Sequence, residues 1–245
     1  MAYTNQIQWK RISAEAAAIV VSILLAFSIQ AWWDDRNDLK LEQRLLTALL
    51  VEFEQNGELL RQAREEYERR YMDALRILEL MDGDPADLDV TEFNRLVSRL
   101  LMRQTFHLES GAHDGLLASG ELSLIRDEAL RNRLAAWPSY VAEWSEEQDF
   151  VFSFVAGEMV TYLAGRVRLR NIRRAFPPFP DGSPPPMIPF DSGEAASLAS
   201  LSTSVEFDNL VYRRTQGTWH AMRDGETLRA HLSAILELIR RNLDE

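Results

Sequence analysis

A run of apolar residues near the N-terminus differs from the rest of the chain. From residue 16 to residue 33 the only polar side chains are two serines and one glutamine. A transmembrane helix needs about 20 mostly apolar residues to cross a hydrocarbon core about 30 Å thick. Trp9 precedes the run and Trp33 closes it, and tryptophan favours the level of the lipid headgroups. The pattern predicts a transmembrane helix over residues 12–33, with the lipid bilayer as its first partner.

Small residues recur at every fourth position of this helix, which places them on one face. They are Ala14, Ala18, Ser22 and Ala26. Small side chains at this spacing allow two helix backbones to approach closely. This face is therefore a candidate interface with a second copy of the chain or with another membrane protein. The alternative is that it reflects only how common alanine is in membrane helices.

The charges around the span bear on which way it crosses the membrane. Lys10 and Arg11 precede it in a tail without acidic residues, whereas three aspartates follow it together with Arg36, Lys40 and Arg44. Basic residues favour the cytoplasmic side but stand on both sides here, so their count does not decide the orientation. Residues 1–11 are expected to be a cytoplasmic tail and residues 34–245 an extracytoplasmic domain. A cleavable signal peptide is the alternative, but the apolar run continues past its best cleavage site at residues 26–28.

A second pattern begins directly after the span and predicts a long amphipathic helix over residues 34–81. Its apolar positions recur at spacings of three and four, as on one face of an α-helix. They are Leu46, Leu49, Phe53, Leu60, Ala63, Tyr67, Tyr71, Ala74, Leu78 and Met81, with Asn56 among them. We expect one stalk-like helix continuous with the anchor, with Gly57 as a candidate bend. It packs on the chain's own later helices or, alternatively, on a second copy as a coiled coil.

Shorter helical segments follow a turn at residues 83–85. Asp89 and Glu92 have the spacing of a capping box and start one helix. A second helix covers residues 112–119 and ends at Gly120, a residue suited to a left-handed backbone.

The next predicted helix starts at Asp127 and reaches about Ala164. Pro138 should kink it, because proline removes one backbone donor. Residues 150–163 are rich in apolar and aromatic side chains but are too few and too polar for a second membrane span. We expect that part to be the most buried helix of the body, with contact to the membrane surface as the alternative.

A run of arginines without any acidic residue follows this helix. It contains Arg166, Arg168, Arg170, Arg173 and Arg174. The run is a candidate site for phosphate groups or for an acidic partner, but arginines near a helix C-terminus also complement the helix dipole. The proline-rich stretch at residues 177–190 is expected to be an extended loop.

Two further helices are predicted before the C-terminus. Thr203 and Glu206 have the spacing of a capping box, and the Asp-Gly pair at residues 224–225 should break the pattern before a final amphipathic helix. The alternation typical of strands is missing. The sequence therefore predicts an all-α protein, in which a single transmembrane helix continues into a long stalk helix and a helical bundle follows.

Composition and missing motifs narrow the classes of function. The formal net charge of −11 argues against binding to nucleic acid, and without cysteine there is no thiolate ligand or cysteine nucleophile. The sequence contains no glycine-rich phosphate loop and no hydrolase or zinc-protease motif. The one metal-like cluster, Glu109 with His113 and Asp114, lacks a second histidine on its face. We therefore expect no enzymatic activity, no metal and no cofactor.

Short motifs give the chain a resemblance to a bacterial family. The dipeptide Ala-Glu comes before the span, and the span ends with Leu-Leu-Ala-Phe-Ser-Ile-Gln-Ala-Trp-Trp at residues 24–33. Two further motifs lie in the body: residues 116–125 read Leu-Leu-Ala-Ser-Gly-Glu-Leu-Ser-Leu-Ile, and residues 205–210 read Val-Glu-Phe-Asp-Asn-Leu. The chain resembles an uncharacterised bacterial family, a domain of unknown function, of small proteins with an N-terminal membrane anchor and a helical extracytoplasmic body. Ala14 stands where that family usually has glycine. The resemblance implies the bacterial inner membrane and a periplasmic body, but no catalytic residue.

These patterns lead to two main hypotheses about function. The first is a membrane-anchored interaction or scaffold protein, such as an accessory subunit. The second is an extracytoplasmic ligand-binding, sensor-like module, which a cavity lined by Trp137, Trp144 and the arginine run would support. An enzyme without a recognisable motif is a further alternative.

Overall fold

Helices make up the regular structure of the protein, as seen in a computed structural model. The structure describes residues 9–102, 105–172, 183 and 200–244. These ranges contain no strand, and their α-helices are α1 Trp9–Met81, α2 Val90–Leu100, α3 Gly111–Ser119, α4 Glu128–Phe154, α5 Val160–Ala164, α6 Leu169–Ile172 and α7 Val205–Asp244. The all-α prediction is confirmed.

The first helix, α1, is uninterrupted over 73 residues, which corresponds to about 110 Å at 1.5 Å per residue. Every residue from Glu15 to Lys40 is exposed, so no described part of the chain covers this half of the helix. From Glu42 onward one face is buried. The predicted continuity of the apolar segment with the next helix is confirmed, and α1 continues through Gly57 as helix.

The body of the protein is a bundle of α1, α4 and α7. Gln43 of α1 bonds to Asn242 of α7, and Arg64 further along α1 pairs with Glu226. These contacts run in opposite directions along the two helices, so α1 and α7 are antiparallel. α4 packs on α7 and contributes to the same core. The half of α1 beyond the apolar segment therefore packs on the chain's own later helices, the first of the two alternatives given above.

The core formed by the described residues consists of two hydrophobic clusters with polar side chains between them. The first includes Leu46, Phe53, Leu130, Trp137, Leu228 and Ile235. The second includes Ile77, Phe93, Val155, Leu163 and Phe207. Arg70 on α1, Gln148 on α4 and Arg214 on α7 are buried at the positions where each helix passes from one cluster to the other.

Buried polar side chains of α1 hold the segment between α2 and α4 against the bundle. Asn56 Nδ2 donates to the Glu109 carbonyl at 2.8 Å, and its Oδ1 accepts from the Glu109 amide at 2.7 Å. The Glu52 carboxylate accepts from the amides of Ala112 and His113 in the first turn of α3. Asn56 interrupts the apolar seam because it satisfies both backbone groups of Glu109.

The buried face of α1 differs from the predicted seam beyond Tyr67. Arg70 and Ile77 are buried there, whereas Tyr71 and Leu78 are only half-buried. α2 packs on this end of α1, and the position of that neighbour decides which residues are covered.

The last long helix, α7, starts and continues differently from the prediction. The hydroxyl of Ser204, and not that of Thr203, accepts from the Phe207 amide at 3.3 Å, so the capping residue lies one position later. The predicted break at Gly225 is also wrong. Gly225 faces Trp144, and a Cβ there would lie 3.1 Å from the indole Nε1. Packing on α1 and α4 outweighs the roughly 1 kcal/mol that glycine costs inside a helix.

The stretch at residues 150–163 is not the most buried part of the body. Phe150 is 54% exposed and Phe152 is 40% exposed. α4 passes into a π-helical segment, Val155–Met159, before α5 begins. The apolar side chains of the stretch are thus divided between the core and the outer surface, which makes the prediction wrong.

Candidate functional site

The N-terminal half of α1 presents a continuous apolar surface. Its ten large apolar side chains are each 49–69% exposed, and they are Ile19, Val20, Val21, Ile23, Leu24, Leu25, Phe27, Ile29, Trp32 and Trp33. This part of the helix is long and apolar enough to cross a membrane, and none of its apolar stretch is buried. An exposed apolar surface of this size marks a site that contacts a partner or a membrane.

The structure describes three of the four residues of the predicted small-residue face. Ala18, Ser22 and Ala26 are all exposed on α1, and Ser22 Oγ donates to the Ala18 carbonyl at 2.8 Å. That bond satisfies the hydroxyl within its own helix. The side chain of Ala14 lies outside the described residues.

The predicted arginine patch is only partly described, and its first member is bound into the body. Arg166 Nη2 donates to Glu206 Oε2 at 2.5 Å, and its guanidinium carbon lies 3.8 Å from the centre of the Tyr162 ring. Arg168 is exposed. The side chain of Arg170 and all of Arg173, Arg174 and the proline-rich stretch at residues 177–190, except Ser183, lie outside the described residues. The structure therefore gives Arg166 an ion pair that links α7 to the segment after α5.

The space beside Trp137 and Trp144 is filled. The two side chains are 2% and 1% exposed and belong to the first core cluster. Trp144 borders a cavity of only about 10 Å³, which is about the space of one water molecule. Its indole N–H has no hydrogen-bond partner in the described part of the chain. Among the described residues, this cavity beside Trp144 is the size of one water molecule and not of a small-molecule ligand.

His113 has a structural role that explains its burial. Pro138 has no amide hydrogen to bond the Leu134 carbonyl four residues earlier in α4. His113 Nε2 lies 2.8 Å from that carbonyl oxygen and supplies the missing donor. In the ranges that the structure describes, no three His, Asp or Glu side chains converge as a metal site.

A charged cleft lies between α1 and α2, at the level of the polar layer of the core. It has a volume of about 340 Å³, and its charged side chains are Glu66, Arg69, Arg70, Asp73, Arg95 and Arg99. Four arginines outnumber two carboxylates, so the cleft is positive in a chain whose net charge is −11. The four residues from α1 share one face of that helix, and Arg95 and Arg99 share one face of α2. Only the packing of α2 on α1 shows that the two faces meet. No local pattern in the sequence indicates this cleft.

Two buried arginines, Arg70 in the wall of the cleft and Arg214 on α7, hold the C-terminal end of α2. Arg70 Nη1 donates to the carbonyls of Arg99 and Met102 at 2.7 and 3.0 Å, and Arg214 Nε donates to the Leu100 carbonyl at 3.5 Å. The last carbonyls of a helix lack partners within it and carry partial negative charge, so cations stabilise that end. Burial, together with the charge of Arg70, lowers the pKa of Arg214 to about 10.

The two carboxylates of the cleft differ in how readily they bind a proton. Burial raises the pKa of Glu66, but the hydrogen bonds and charges of Arg69 and Arg70 outweigh it and hold that pKa below its ordinary value. Burial raises the pKa of Asp73 above its ordinary value, although Arg99 Nε lies 2.9 Å from its Oδ2. That contact lacks the geometry of a hydrogen bond. Protonation of Asp73 would make the cleft still more positive.

The chain matches no protein-family model, no curated protein and no solved structure. Its class therefore rests on its own geometry. It is an all-α protein in which one helix, long and apolar enough at its N-terminal half to cross a membrane, continues into a helical bundle.

Proposed function

We propose that the protein is a single-pass protein of the bacterial inner membrane, which acts as an anchored interaction or scaffold protein such as an accessory subunit. The exposed apolar half of α1 carries this proposal. Eight large apolar side chains between Ile19 and Ile29 leave water when such a helix enters lipid, and at ~1.5–3 kcal/mol each the transfer is favourable by at most roughly 12–24 kcal/mol. The described part of the body has hydrophobic clusters of its own and does not cover this helix.

The body would then start at the membrane surface. Arg126 pairs with Asp35, only two residues after Trp33, with 2.5 Å between Nη2 and Oδ1. The turn before α4 and the C-terminal end of α7 lie at this level of α1, close to the lipid headgroups. From Trp33 to Met81 the helix extends about 70 Å. A bundle held along this length presents a long lateral surface to a protein partner.

We infer an orientation with the N-terminus in the cytoplasm and the body in the periplasm. The tail before the apolar segment carries Lys10 and Arg11 and no acidic residue, whereas Arg36, Lys40 and Arg44 follow the segment together with three aspartates. Basic residues close to a span favour the cytoplasmic side but stand on both sides here, so the resemblance and not the charge count carries this inference. The resemblance to bacterial proteins with an N-terminal anchor is consistent with this orientation.

Membrane fractionation combined with a reporter tests the location. We expect the full chain to stay in the membrane fraction after an alkaline carbonate wash. A reporter enzyme that is active only outside the cytoplasm should be active when fused after Glu245 and inactive when fused before Met1. A full chain with an intact N-terminus in the aqueous fraction would contradict the proposal.

Purification in a mild detergent, followed by mass spectrometry, tests the interaction function. We expect the chain to purify with a stoichiometric partner or as an oligomer. Leucine at all four small-face positions, Ala14, Ala18, Ser22 and Ala26, should weaken an association made through the membrane helix. The matched control places leucine at Ala16 and Ala31, off that face. A chain that purifies alone and monomeric would refute the proposal.

A further inference from the structure

The arginine-lined cleft between α1 and α2 contains more positive charge than the fold uses. Arg69 pairs with Glu66, and Arg99 lies against Asp73. Arg95 is exposed and makes no hydrogen bond or ion pair with any residue that the structure describes, although it lines the cleft. Its charge partly offsets the effect of burial on the pKa of Asp73, but no direct bond uses its N–H groups in the described part of the chain.

Unused hydrogen-bond donors accompany this excess charge. A guanidinium carries five N–H groups in a planar fork. Arg69 uses Nε and Nη2 for Glu66, and Arg99 directs Nε towards Asp73, so both keep further N–H groups. Together with Arg95 they offer donors from two helices to one space. Arginine forks suit the paired oxygens of phosphate and carboxylate groups better than any other side chain.

Two buried arginines add to the attraction of the cleft for an anion. Arg70, which lines the cleft, and Arg214, which is close enough to feel its charge, are both buried, and burial weakens the screening of their positive charge by water. Among the described residues only Glu66 forms an ion pair with Arg70, and no carboxylate pairs with Arg214. An anion in the cleft would therefore compensate charge that the chain itself leaves uncompensated.

Size and position narrow the class of ligand. A volume of about 340 Å³ lies at the lower end of the range of roughly 300–1,000 Å³ for small-molecule sites. Arg69 follows Trp33 by 36 residues, or about 54 Å along α1. If α1 is anchored as proposed above, the headgroups of that membrane are out of reach, so the ligand comes from solution.

We propose that this cleft binds a small soluble molecule with phosphate or carboxylate groups and at least two negative charges. The N–H groups of Arg69, Arg95 and Arg99 hold its oxygens. Arg70 positions the end of α2, and thereby Arg95 and Arg99, opposite α1.

Isothermal titration of the full chain in detergent tests the proposal. Inorganic phosphate and citrate serve as probes, each compared with chloride at equal ionic strength. We expect saturable binding of at least one probe. Arg95→Gln should weaken that binding about 10-fold or more, because hydrogen bonds to charged groups are individually strong. Arg95→Lys keeps the charge but loses the planar fork of N–H groups, so its affinity for the probe should lie between those of the parent chain and Arg95→Gln.

Arg133→Gln is the matched control. Arg133 is also exposed and makes no described side-chain bond, but it lies on α4, outside the cleft. We expect it to bind as the parent chain does, and circular dichroism should show that both variants are folded. The absence of saturable binding of either probe, or equal binding by Arg95→Gln and Arg133→Gln, would overturn the proposal. If the cleft bound only vesicles that contain phosphatidylglycerol and neither soluble probe, the proposal that the ligand is a soluble molecule would be overturned. None of these results depends on where the chain fractionates.

Discussion

His113 and Pro138 are coupled through a single carbonyl group. The carbonyl of Leu134 loses its usual donor because Pro138 has no N–H, and the buried imidazole of His113 replaces that donor. Neither residue is notable by itself, and their relation exists only because the fold places His113 of α3 against the Leu134 carbonyl of α4. His113 therefore has a structural role, although acidic residues lie close to it in the sequence.

His113→Leu should therefore destabilise the protein by about 1–3 kcal/mol, because it leaves a buried carbonyl without a donor. In a Pro138→Ala background, the amide of residue 138 can bond to that carbonyl, so the same substitution should cost clearly less. Urea unfolding of the four chains in detergent measures this double-mutant cycle. His107→Leu, at an exposed position, is the control and should change stability by less than about 0.5 kcal/mol. Equal costs in both backgrounds would contradict the coupling.

Asp127 connects the start of α4 to the end of α7. Its carboxylate accepts from the Leu130 amide at 2.9 Å and from Arg241 and Asn242. The backbone bond of Leu130 is the main cause that lowers the pKa of Asp127, followed by Asn242 and Arg241. A carboxyl group with a lowered pKa stabilises the fold above its ordinary value of 3.8 and loses that contribution as the pH falls below it.

Asp127→Asn should therefore reduce the loss of stability between pH 5 and pH 3. Asparagine still caps the helix but cannot be protonated in this range. Urea unfolding at several pH values measures the difference, and Asp82→Asn on the exposed turn after α1 is the control. A parent chain and Asp127→Asn variant with parallel pH profiles would refute the role of this carboxylate.

At the scale of the elements, two helical glycines differ in what surrounds them. A Cβ on Gly57 would lie 3.5 Å from Leu232 Cδ2, an ordinary contact. A Cβ on Gly217 would lie 3.0 Å from Val151 Cγ2, which is too close without a shift. Both lie within long helices, so the higher helix propensity of alanine would stabilise the helix equally at either position. Packing between helices decides whether that gain is realised.

Gly57→Ala should stabilise the protein by about 1 kcal/mol, the difference between alanine and glycine inside a helix. Gly217→Ala should bring a smaller gain or a loss, because Val151 must move. Thermal unfolding of both variants in the same detergent compares them directly. If Gly217→Ala stabilised as much as Gly57→Ala, interhelical space would not be the deciding factor.

Element boundaries show which sequence signals were sufficient. The caps at Asp89 and Asp127 and the left-handed Gly120 lie where the sequence predicts them, because each depends on bonds within a few residues. The predicted break at Gly225 failed because contacts with Trp144 and α1 outweigh a weak local preference. Local rules hold where nothing distant competes with them.

At the scale of the whole molecule, the apolar half of α1 gives a prediction about insertion. Leu24 lies near the middle of the apolar segment and is 59% exposed, while Val51 on the surface of the body is 52% exposed. If α1 spans a membrane as proposed, Leu24→Arg should disfavour insertion by about 2.5–3.5 kcal/mol. Val51→Arg should leave it unchanged. The carbonate-resistant fraction of each variant measures insertion, and equal fractions would contradict a membrane span.

The sequence by itself determined the helices and their order. The spacing of apolar positions, the capping residues and the uninterrupted apolar run are local signals, and they predict an all-α chain whose first helix continues from an apolar segment into the body. These features need no knowledge of which elements meet.

Only the tertiary structure decided which faces meet and what lies between them. Arg69 and Arg95 belong to different helices, and their common cleft exists because α2 packs on the far half of α1. The same packing buries Arg70 in place of Tyr71 and gives the end of α2 its hydrogen-bond donors. Charge in a cleft is a sum over elements that are distant in sequence, so no local pattern reveals it.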